Sequence, residues 1–431
     1  MTPAGRPAAT TSVAAAAGRS PVPEPVTSTV ANEETPMTEE APKFTFPFHR
    51  DYPTRCPVDF AALREERVAQ LTMPSGSPGY MVGRYEDVRR VLLDPRCSAD
   101  LHRPGVPLMT NWPPLESLNF TDPPQHTRLR RLVAKAFTPE LVESFRPRIH
   151  QLTNELLDEM ERGGDSADIV EAYAHPLPIN MICDLLGVPR GDRSRFRKWS
   201  EAFLVLENNP VDEIRAAAEE LREYLGSLVA DKRRAPGDDV LSALVAARDV
   251  DDQLSEGELV STATQLLMAG HETTFLQIGL CVATLLLHPE QLADLRAHPE
   301  LMPNAVEELM RYQGPGDGAA YRILLEDMTF GDTTIPAGSG VLAAISAANR
   351  DDERFPDAGR LDIRREDTRH LTLGHGIHHC LGAPLVRMEM QIALTNLFDR
   401  FPTLKLACTE DELEWMPGRL LSGFRTVPVT W

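Results

Sequence analysis

The longest apolar pattern in the chain begins at residue 255 and ends near residue 287, and it predicts one long helix. Ser255 and Glu258 have the spacing of a capping box at its start, and the pair His288-Pro289 ends it. About 30 residues at about 1.5 Å each span roughly 45 Å. Because the segment is apolar on nearly every side, we expect it to cross the core of the molecule.

A second helix is predicted after Pro123 and Pro124, which favour a helix start. At about 100° per residue, one face combines apolar residues with a histidine and an arginine: His126, Arg130, Val133 and Phe137. The opposite face is basic: Arg128, Arg131 and Lys135. A solvated helix surface explains that basic face as well as a binding role does. The inward Arg130 is different, because a cation on an apolar face needs a buried anion.

The remaining patterns predict a mainly α fold with a minor β part. Amphipathic helices occupy much of residues 139–248, a strand and a short helix follow one another at 80–92, and short strands are expected between 322 and 345 and in the tail 412–431. The proline-rich segment 95–118 is irregular. A long irregular segment within a compact domain usually has a function, such as covering a ligand.

Composition divides the chain into two parts and narrows the possible partners. Residues 1–43 are rich in Ala, Pro, Thr and Ser and are expected to be disordered, whereas residues 44–431 are expected to form one large domain. The formal net charge of −20 argues against nucleic acid or an anionic membrane as a partner. No apolar run reaches the length of a membrane span, and the 6 scattered cysteines favour a reducing cytoplasm.

Two stretches offer candidate chemistry. Cys380 follows a loop containing Gly374 and Gly376 and precedes a helical pattern, a position that favours a thiolate offered to a metal. The second stretch, 269–274, places a glycine, an acid and two threonines in the middle of the long apolar helix. It is either a kinked core helix with satisfied polar groups or a groove in which a small ligand meets a hydroxyl and a carboxylate.

Two further groups have ordinary interpretations when taken alone. Glu308 and Arg311 have the i,i+3 spacing of a modest surface ion pair. A zinc site is conceivable at His375, His378, His379 and Cys380. Three of these four residues lie in one three-residue run and no partner cysteine pair occurs elsewhere, which disfavours zinc.

Taken together, these motifs resemble those of cytochrome P-450 enzymes. The pattern Gly374-x-Gly376-x-His378-x-Cys380-x-Gly382 is similar to the family's haem-binding loop, and 269–274 resembles its oxygen-binding helix motif. Glu308-x-x-Arg311 resembles its Glu-x-x-Arg motif, and 122–130 is similar to a helix start of soluble bacterial members. The motifs occur in the family's order and cover about residues 44–431. Further runs at 348–351 and 382–385 resemble actinobacterial members that tailor natural products.

The resemblance implies a role for each position around a haem b. Cys380 would be the thiolate ligand of the iron, with Ala269, Gly374 and Gly382 close to the cofactor and Gly270 leaving space for oxygen. Glu272 and Thr273 would deliver protons. The propionates would pair with His126, Arg130, Arg322 and His378. A structural triad behind the haem would consist of Glu308, Arg311 and Arg360. Leu373 stands where the family usually has Phe, which should change the redox potential but not the ligation.

The implied activity is insertion of one oxygen atom of O₂ into a small natural product, by a cytoplasmic monomer. Electrons would come through a ferredoxin reductase and a ferredoxin that docks near Arg128, Arg131 and Lys135. Oxidative coupling of a peptide or cyclic dipeptide is an alternative reaction, and a non-catalytic haem sensor or carrier is an alternative of another class. The substrate is expected to contact Leu108, Met109, Trp112, Leu267, Gly318, Ala319, Leu421 and Ser422.

Overall fold

The structure is a computed structural model, and it describes residues 44–431 except 49, 51–53, 55–56, 58, 111–113, 115–116, 194, 197, 200–210, 252–253 and 317–318. The predicted division of the chain at residue 43 therefore stays a prediction, and Trp112 and Gly318 lie outside the described residues. Helices dominate the described part and a smaller part is β-strand, so the predicted fold class is confirmed.

The N-terminal third alternates strands and helices. Its strands are β1 (Phe44–Thr45), β2 (Val68–Thr72), β3 (Pro78–Val82) and β4 (Cys97–Ser98). Its helices are α1 (Asp59–Glu66), α2 (Tyr85–Leu93), α3 (Gln125–Ala136), α4 (Pro139–Ser144) and α5 (Arg146–Gly163). The structure thus confirms the predicted strand and short helix at 80–92 and the helix after Pro124.

The middle of the chain is helical. A short strand β5 (Ser166–Asp168) and one π-helical turn (Val170–Ala174) lead into α6 (Pro176–Leu185), which is followed by α7 (Val211–Arg234), α8 (Val240–Asp251) and α9 (Glu256–Leu287). The predicted capping box is confirmed: the Ser255 hydroxyl accepts from the Glu258 backbone and the Glu258 side chain accepts from the Ser255 backbone. By length and composition α9 could cross a membrane, but most of its apolar stretch is buried inside the protein.

The C-terminal third supplies the rest of the sheet and the last long helix. After α10 (Pro289–Ala297) and α11 (Met302–Tyr312) come β6 (Ala319–Leu324), β7 (Met328–Phe330), β8 (Thr333–Ile335), β9 (Gly340–Ala344) and α12 (Ile345–Ala348). Helix α13 (Ala383–Arg400) and strands β10 (Lys405–Leu406) and β11 (Pro428–Thr430) end the chain. In the tail, Trp415 and Phe424 form an isolated antiparallel bridge.

Three sheets are present among the described residues. The largest has six strands in the order β1-β2-β3-β9-β6-β4, the second joins β10, β11 and β5, and β7 pairs with β8. Strands β6 and β9 are antiparallel, with Arg322 opposite Val341. The pairing holds β6 in place, and β6 carries Arg322, one of the residues predicted to bind the propionates.

Helix α9 lies at the centre of the hydrophobic core. Its C-terminal half contributes Phe275, Ile278 and Leu285 to a cluster shared with α5, α11 and α13, and its N-terminal half contributes Leu259 and Ala263 to a cluster shared with α6, α7 and α8. Two clusters meeting on one helix require apolar residues on all of its sides, which is the pattern seen in the sequence. The polar stretch 269–274 therefore lies where the helix passes from one cluster to the other.

Candidate active site

The loop that precedes Cys380 is shaped by two glycines in the left-handed region. Gly374 has φ 73° and Gly376 has φ 68°, values that L side chains rarely adopt. The Cys380 backbone N–H donates to the Leu373 carbonyl at 2.8 Å, which closes the loop, and α13 begins three residues later at Ala383. A methyl group on Gly382 would lie 3.9 Å from the Cys380 Sγ, so this glycine faces the sulfur as predicted.

Cys380 is exposed on one side and enclosed by protein on the others. Burial raises the pKa of its thiol, whereas the backbone N–H groups of Gly382 and Ala383 and the charges of Arg130 and Arg387 act in the opposite direction. The exposed side is the one from which a ligand can reach the sulfur. A thiol held between helix-terminal N–H donors and two cations is suited to bind a metal as a thiolate.

Four positively charged or protonatable side chains converge beside the cysteine loop. The rings of His126 and His378 lie 4.2 Å apart between centroids, and Arg130 donates to the His379 carbonyl at 2.5 Å. Burial, followed by the charge of Arg322, lowers the pKa of His378 to about 3. Arg322 is itself buried and donates to the Tyr321 carbonyl. The structure thus brings together all four residues predicted to bind the propionates.

No carboxylate neutralises this cluster among the residues that the structure describes. Asp122 is close enough to act on the charges of His126, Arg322 and His378, but it accepts from Ser98, from the Ala99 backbone and from Arg103. The buried Nε2 of His126 has no hydrogen-bond partner there. Buried charges and donors of this kind require an anion. The cluster therefore fits a bound group that carries carboxylates, next to a thiol that can bind its metal.

The central polar stretch of α9 has one face open. Ala269 is exposed and Thr273 half-buried, whereas the intervening His271 and Glu272 are buried. The Thr273 hydroxyl donates to the Ala269 carbonyl at 2.8 Å, and the Thr274 hydroxyl donates to the Gly270 carbonyl at 3.2 Å. Both interpretations of this stretch find support. Each threonine hydroxyl donates to a carbonyl of its own helix, as in a core helix with satisfied polar groups. The exposed Ala269 in mid-helix indicates an internal space on that side, as in a ligand groove.

Gly270 has a structural role that the sequence did not indicate. A Cβ on this residue would lie 2.8 Å from Cδ1 and 3.2 Å from Cγ1 of Ile182 on α6. The missing side chain therefore makes room for a packing contact between α9 and α6, and the space for oxygen at this residue stays a prediction. The sequence could not reveal this, because Ile182 lies far from Gly270 along the chain.

The predicted substrate contacts separate into three groups. Leu108, Met109 and Ala319 pack at the edge of one cluster around the six-stranded sheet, and Ser75 fixes the loop by donating to the Leu108 carbonyl at 2.5 Å and to the Met109 carbonyl at 3.1 Å. Ser422 is buried, and its carbonyl accepts from the Gly316 backbone at 2.5 Å, so the segment containing Leu421 and Ser422 lies against residue 316.

The third group is Leu267 alone, and its assignment to the substrate contacts is wrong. It is 0% exposed and belongs to the core cluster formed with α6, α7 and α8. A helix residue so enclosed has no surface left for a substrate. On α9 the half-buried Leu266 and Met268, which flank it, keep some surface.

The triad behind the loop is also corrected. Glu308 and Arg311 are fully buried and joined by two hydrogen bonds of 2.7 and 2.8 Å, so the surface-pair interpretation fails. The third side chain is Arg365, whose Nε lies 3.2 Å from both Glu308 oxygens. Arg360 is exposed and contributes only its carbonyl, which accepts from Arg311 and Arg365.

Sequence reasoning missed two acids on this side of the molecule, one half-buried and one buried. Glu307 on α11 binds Arg387 on α13 at 2.7 Å and lies 3.3 Å from the His370 ring. Glu389 on α13 is buried, and burial raises the pKa of its carboxyl to about 8. The only sequence signal for Glu389 is its place between Met388 and Met390, and acids of this kind normally lie on a helix's exposed face.

A mainly α fold that combines a cysteine loop beside a cationic cluster with a polar break in its central helix has the features of a haem-thiolate protein. The family model "Cytochrome P450" matches residues 71–422, and the chain belongs to this family. Haem is therefore its cofactor. Among the described residues no group of three or more His, Cys, Asp or Glu side chains is arranged to hold a metal ion by itself.

Named relatives are P450 enzymes that tailor natural products. The chain is 44% identical over 403 residues to the mycinamicin IV hydroxylase/epoxidase of Micromonospora griseorubida, covering 92% of this chain and 100% of that protein. It is 44% identical to the cytochrome P450 monooxygenase PikC of Streptomyces venezuelae, covering 88% and 91%. The solved structure of SgvP, described as a putative thioether synthase involved in the tailoring step of griseoviridin, has a TM-score of 0.88 at 50% identity, covering 91% and 100%. The chain is a P450 monooxygenase of secondary metabolism.

Proposed function

We propose that this enzyme uses haem b, bound through Cys380, to insert one oxygen atom of O₂ into a macrolide-like natural product. The observation that carries the proposal is the buried cationic cluster next to an accessible thiol. Arg130 and Arg322 would supply charge, and His126 and His378 ring N–H donors, for the carboxylates of the cofactor, and Cys380 would supply the metal ligand beside them. When bound, haem iron with a thiolate ligand supplies the oxygen-activating chemistry.

The cluster residues hold the cofactor in different ways. Arg322 and Arg130 carry permanent charges, and Arg130 is already fixed by the His379 carbonyl. His126 and His378 offer ring N–H donors at a site where burial lowers the pKa of each ring, so both are neutral donors in the absence of an anion. Ala269 and Gly374 lie on the two segments that would enclose the ring system.

Glu272 and Thr273 are proposed to move protons to the oxygen that is being reduced. The Thr273 hydroxyl, anchored by the Ala269 carbonyl, keeps lone pairs on the open side of α9, and Glu272 is the acid next to it in the chain. Thr273→Ala should leave substrate binding intact and direct electrons into peroxide or water instead of product. Thr273→Ser, which keeps the hydroxyl, is the control and should retain coupling. Full coupling in Thr273→Ala contradicts the assignment.

The macrolide class is supported by the names of the relatives and by the segments around the site. The loop containing Leu108 and Met109, residue Ala319, and the segment with Leu421 and Ser422 are proposed to contact the substrate. Titration with a panel of macrolides, terpenoids and cyclic peptides should give a low-to-high-spin change with macrolides. Product mass after turnover in ¹⁸O₂ separates oxygen insertion from oxidative coupling, because coupling adds no label.

The electron donor is proposed to be an acidic ferredoxin, reduced by its NAD(P)H-dependent reductase. Arg131 and Lys135 are exposed on α3, the helix that Arg130 joins to the cysteine loop, and they provide positive charge on a strongly acidic chain. Arg128 is paired with Glu258 and contributes less. We further propose a cytoplasmic monomer in which residues 44–431 form the catalytic domain and 1–43 an extension.

The reduced CO-difference spectrum tests the central assignment. A maximum at about 450 nm is expected for the wild-type protein, and one at about 420 nm in folded protein contradicts thiolate ligation. Cys380→Ala should lose the 450 nm band and all monooxygenase activity. Cys408→Ala, which removes a half-buried cysteine from the tail, is the matched control and should retain both.

A further inference from the structure

The apolar C-terminal half of α9 contains one amide side chain. Gln277, one turn after Thr273, is 3% exposed, and its neighbours Leu276 and Ile278 are buried as well. Burial of an amide without hydrogen bonds is costly, so a polar side chain at this position requires partners. Neither the proposed proton transfer nor the apolar packing of α9 requires this amide.

The amide binds the loop that follows α11. Its Nε2 donates to the Gln313 carbonyl at 2.9 Å and lies 3.2 Å from the Cys281 Sγ. Because a carbonyl oxygen only accepts, this partner fixes which amide atom is the nitrogen. Gln313 is 9% exposed, and its Oε1 lies 3.5 Å from the Thr284 hydroxyl, two turns further along α9. The chain is thus held against α9 where α11 ends, and we call residues 313–316 the linking loop.

The linking loop lies directly against a segment that is proposed to contact the substrate. The Gly316 N–H, three residues after Gln313, donates to the Ser422 carbonyl at 2.5 Å. A Cβ on Gly316 would lie 2.9 Å from the Ser422 nitrogen and 3.1 Å from the Leu420 carbonyl oxygen, and the residue has φ 72°. The two backbones therefore touch, and a displacement of the loop displaces the segment with it.

The same tail segment also packs on α9 and on the other proposed substrate contacts. A Cβ on Gly423 would be 3.0 Å from the Leu276 Cδ2, so the backbone of the segment rests on α9 beside the amide. Leu420, Leu108 and Ala319 all pack against the cluster around the six-stranded sheet. The position of these substrate contacts relative to the polar stretch of α9 therefore depends on how the linking loop and the tail are attached to the helix.

We propose that Gln277 is a positioning residue that determines which atom of the substrate is oxidised. Through the linking loop it sets the distance between Thr273 on α9 and the segment with Leu421 and Ser422. This inference rests on the proposed function and deepens it, because it concerns the regioselectivity of the same site. Without the Gln277 donor the Gln313 carbonyl loses its partner in the core, and the loop relieves that cost by moving away from α9. Small displacements of a bound substrate are enough to change which atom reacts.

The test uses imidazole and 4-phenylimidazole as probes of the haem-loaded protein. Both bind haem iron through a ring nitrogen, and only the second extends a phenyl ring into the space beside α9. Gln277→Met removes the donor and keeps a side chain of similar length that suits the apolar surroundings. We expect the Kd of 4-phenylimidazole, measured by the spectral shift on binding, to rise about ten-fold, and the Kd of imidazole to change by less than about two-fold.

Two further variants separate positioning from packing. Cys281→Ala removes a buried sulfur beside the same amide, so it should lower the free energy of unfolding and leave both Kd values unchanged. Gly316→Ala disturbs the linking loop from its other end and should raise the 4-phenylimidazole Kd as Gln277→Met does. With a macrolide that gives the spin change in the wild type, Gln277→Met should change the ratio of product isomers by about three-fold or more, whereas Cys281→Ala should keep it.

Two results would overturn the proposal. One is a wild-type 4-phenylimidazole Kd in Gln277→Met, and the other is an equal change in Cys281→Ala, since each would leave the amide with a packing role alone. If Gln277→Met does not fold, Gly316→Ala decides, because an unchanged Kd in that variant refutes positioning through the linking loop. A wild-type protein that shows no spectral shift with imidazole refutes the haem-thiolate function instead. Absence of a spin change with every macrolide refutes the substrate class, and the comparison of the two imidazoles still tests Gln277.

Discussion

Glu389 allows a quantitative test of the packing around α13. It is 3% exposed, its Oε1 has no hydrogen-bond partner among the described residues, and burial raises its pKa from 4.5 to about 8. At about 1.36 kcal/mol for each pKa unit, this rise in pKa corresponds to about 5 kcal/mol of stability that is lost when the carboxyl is ionised. The neighbouring Tyr173 hydroxyl, fully buried, donates to the Ala393 carbonyl and adds no charge at neutral pH, because burial raises its pKa well above 10.0.

The sign follows from the direction of the change. Folding raises the pKa of this carboxyl, so it costs no stability below the unfolded-state pKa of 4.5, where it is protonated in both states. As the pH rises from 4.5 toward about 8, the free energy of unfolding falls, and above about 8 it falls no further. Glu389→Gln keeps the shape and removes the titration. We expect its free energy of unfolding to exceed that of wild type by about 2 kcal/mol at pH 6 and about 4 kcal/mol at pH 8.

Urea unfolding of the haem-loaded protein, followed by circular dichroism at several pH values, measures this difference. Glu159→Gln, at an exposed position of α5, is the control for removal of one negative charge and should show no such pH trend. A Glu389→Gln difference that stays constant between pH 6 and pH 8 would refute the reasoning, since it would mean that the Glu389 carboxyl of the folded protein is already ionised below pH 6.

The corrected triad and the packing of Gly270 give two further predictions. Arg365→Ala should lower the free energy of unfolding by about 2 kcal/mol, because it removes charged hydrogen bonds to the buried Glu308, whereas Arg360→Ala should change it by less than about 0.5 kcal/mol; equal losses in thermal or urea unfolding would restore the original assignment. Gly270→Ala should cost about 1–3 kcal/mol through its contact with Ile182, and adding Ile182→Val should recover part of it. No recovery would show that the glycine serves the site and not the packing.

Features that depend on residues only a few positions apart could be predicted from the sequence. The capping box of α9 depends on residues three apart, and the inward Arg130 follows from helical periodicity, so both could be predicted and the structure confirms the positions. Cys380, with its glycine-rich loop, is of the same kind: the chemistry and the backbone geometry are written within a few residues.

Contacts between distant segments could not be predicted. Arg365 reaches Glu308 across 57 residues, and either Arg360 or Arg365 could do so on sequence grounds. The partner of Gly270 is on another helix, and Leu267 faces the core because α7 and α8 lie against that side of α9. In each case the outcome depends on which helix or loop packs against which, and this cannot be inferred from the spacing of residues in a single sequence.

The Glu258 carboxylate has consequences for redesign of the electron-donor face. It caps α9 through the Ser255 backbone and at the same time binds Arg128 of α3, so the helix that bears the basic face and the start of the longest helix share one side chain. A donor that captured Arg128 would compete with the cap of the helix that carries Glu272 and Thr273. Adapting this enzyme to a foreign reductase is therefore safest at Arg131 and Lys135, with Arg128 left as the wild type has it.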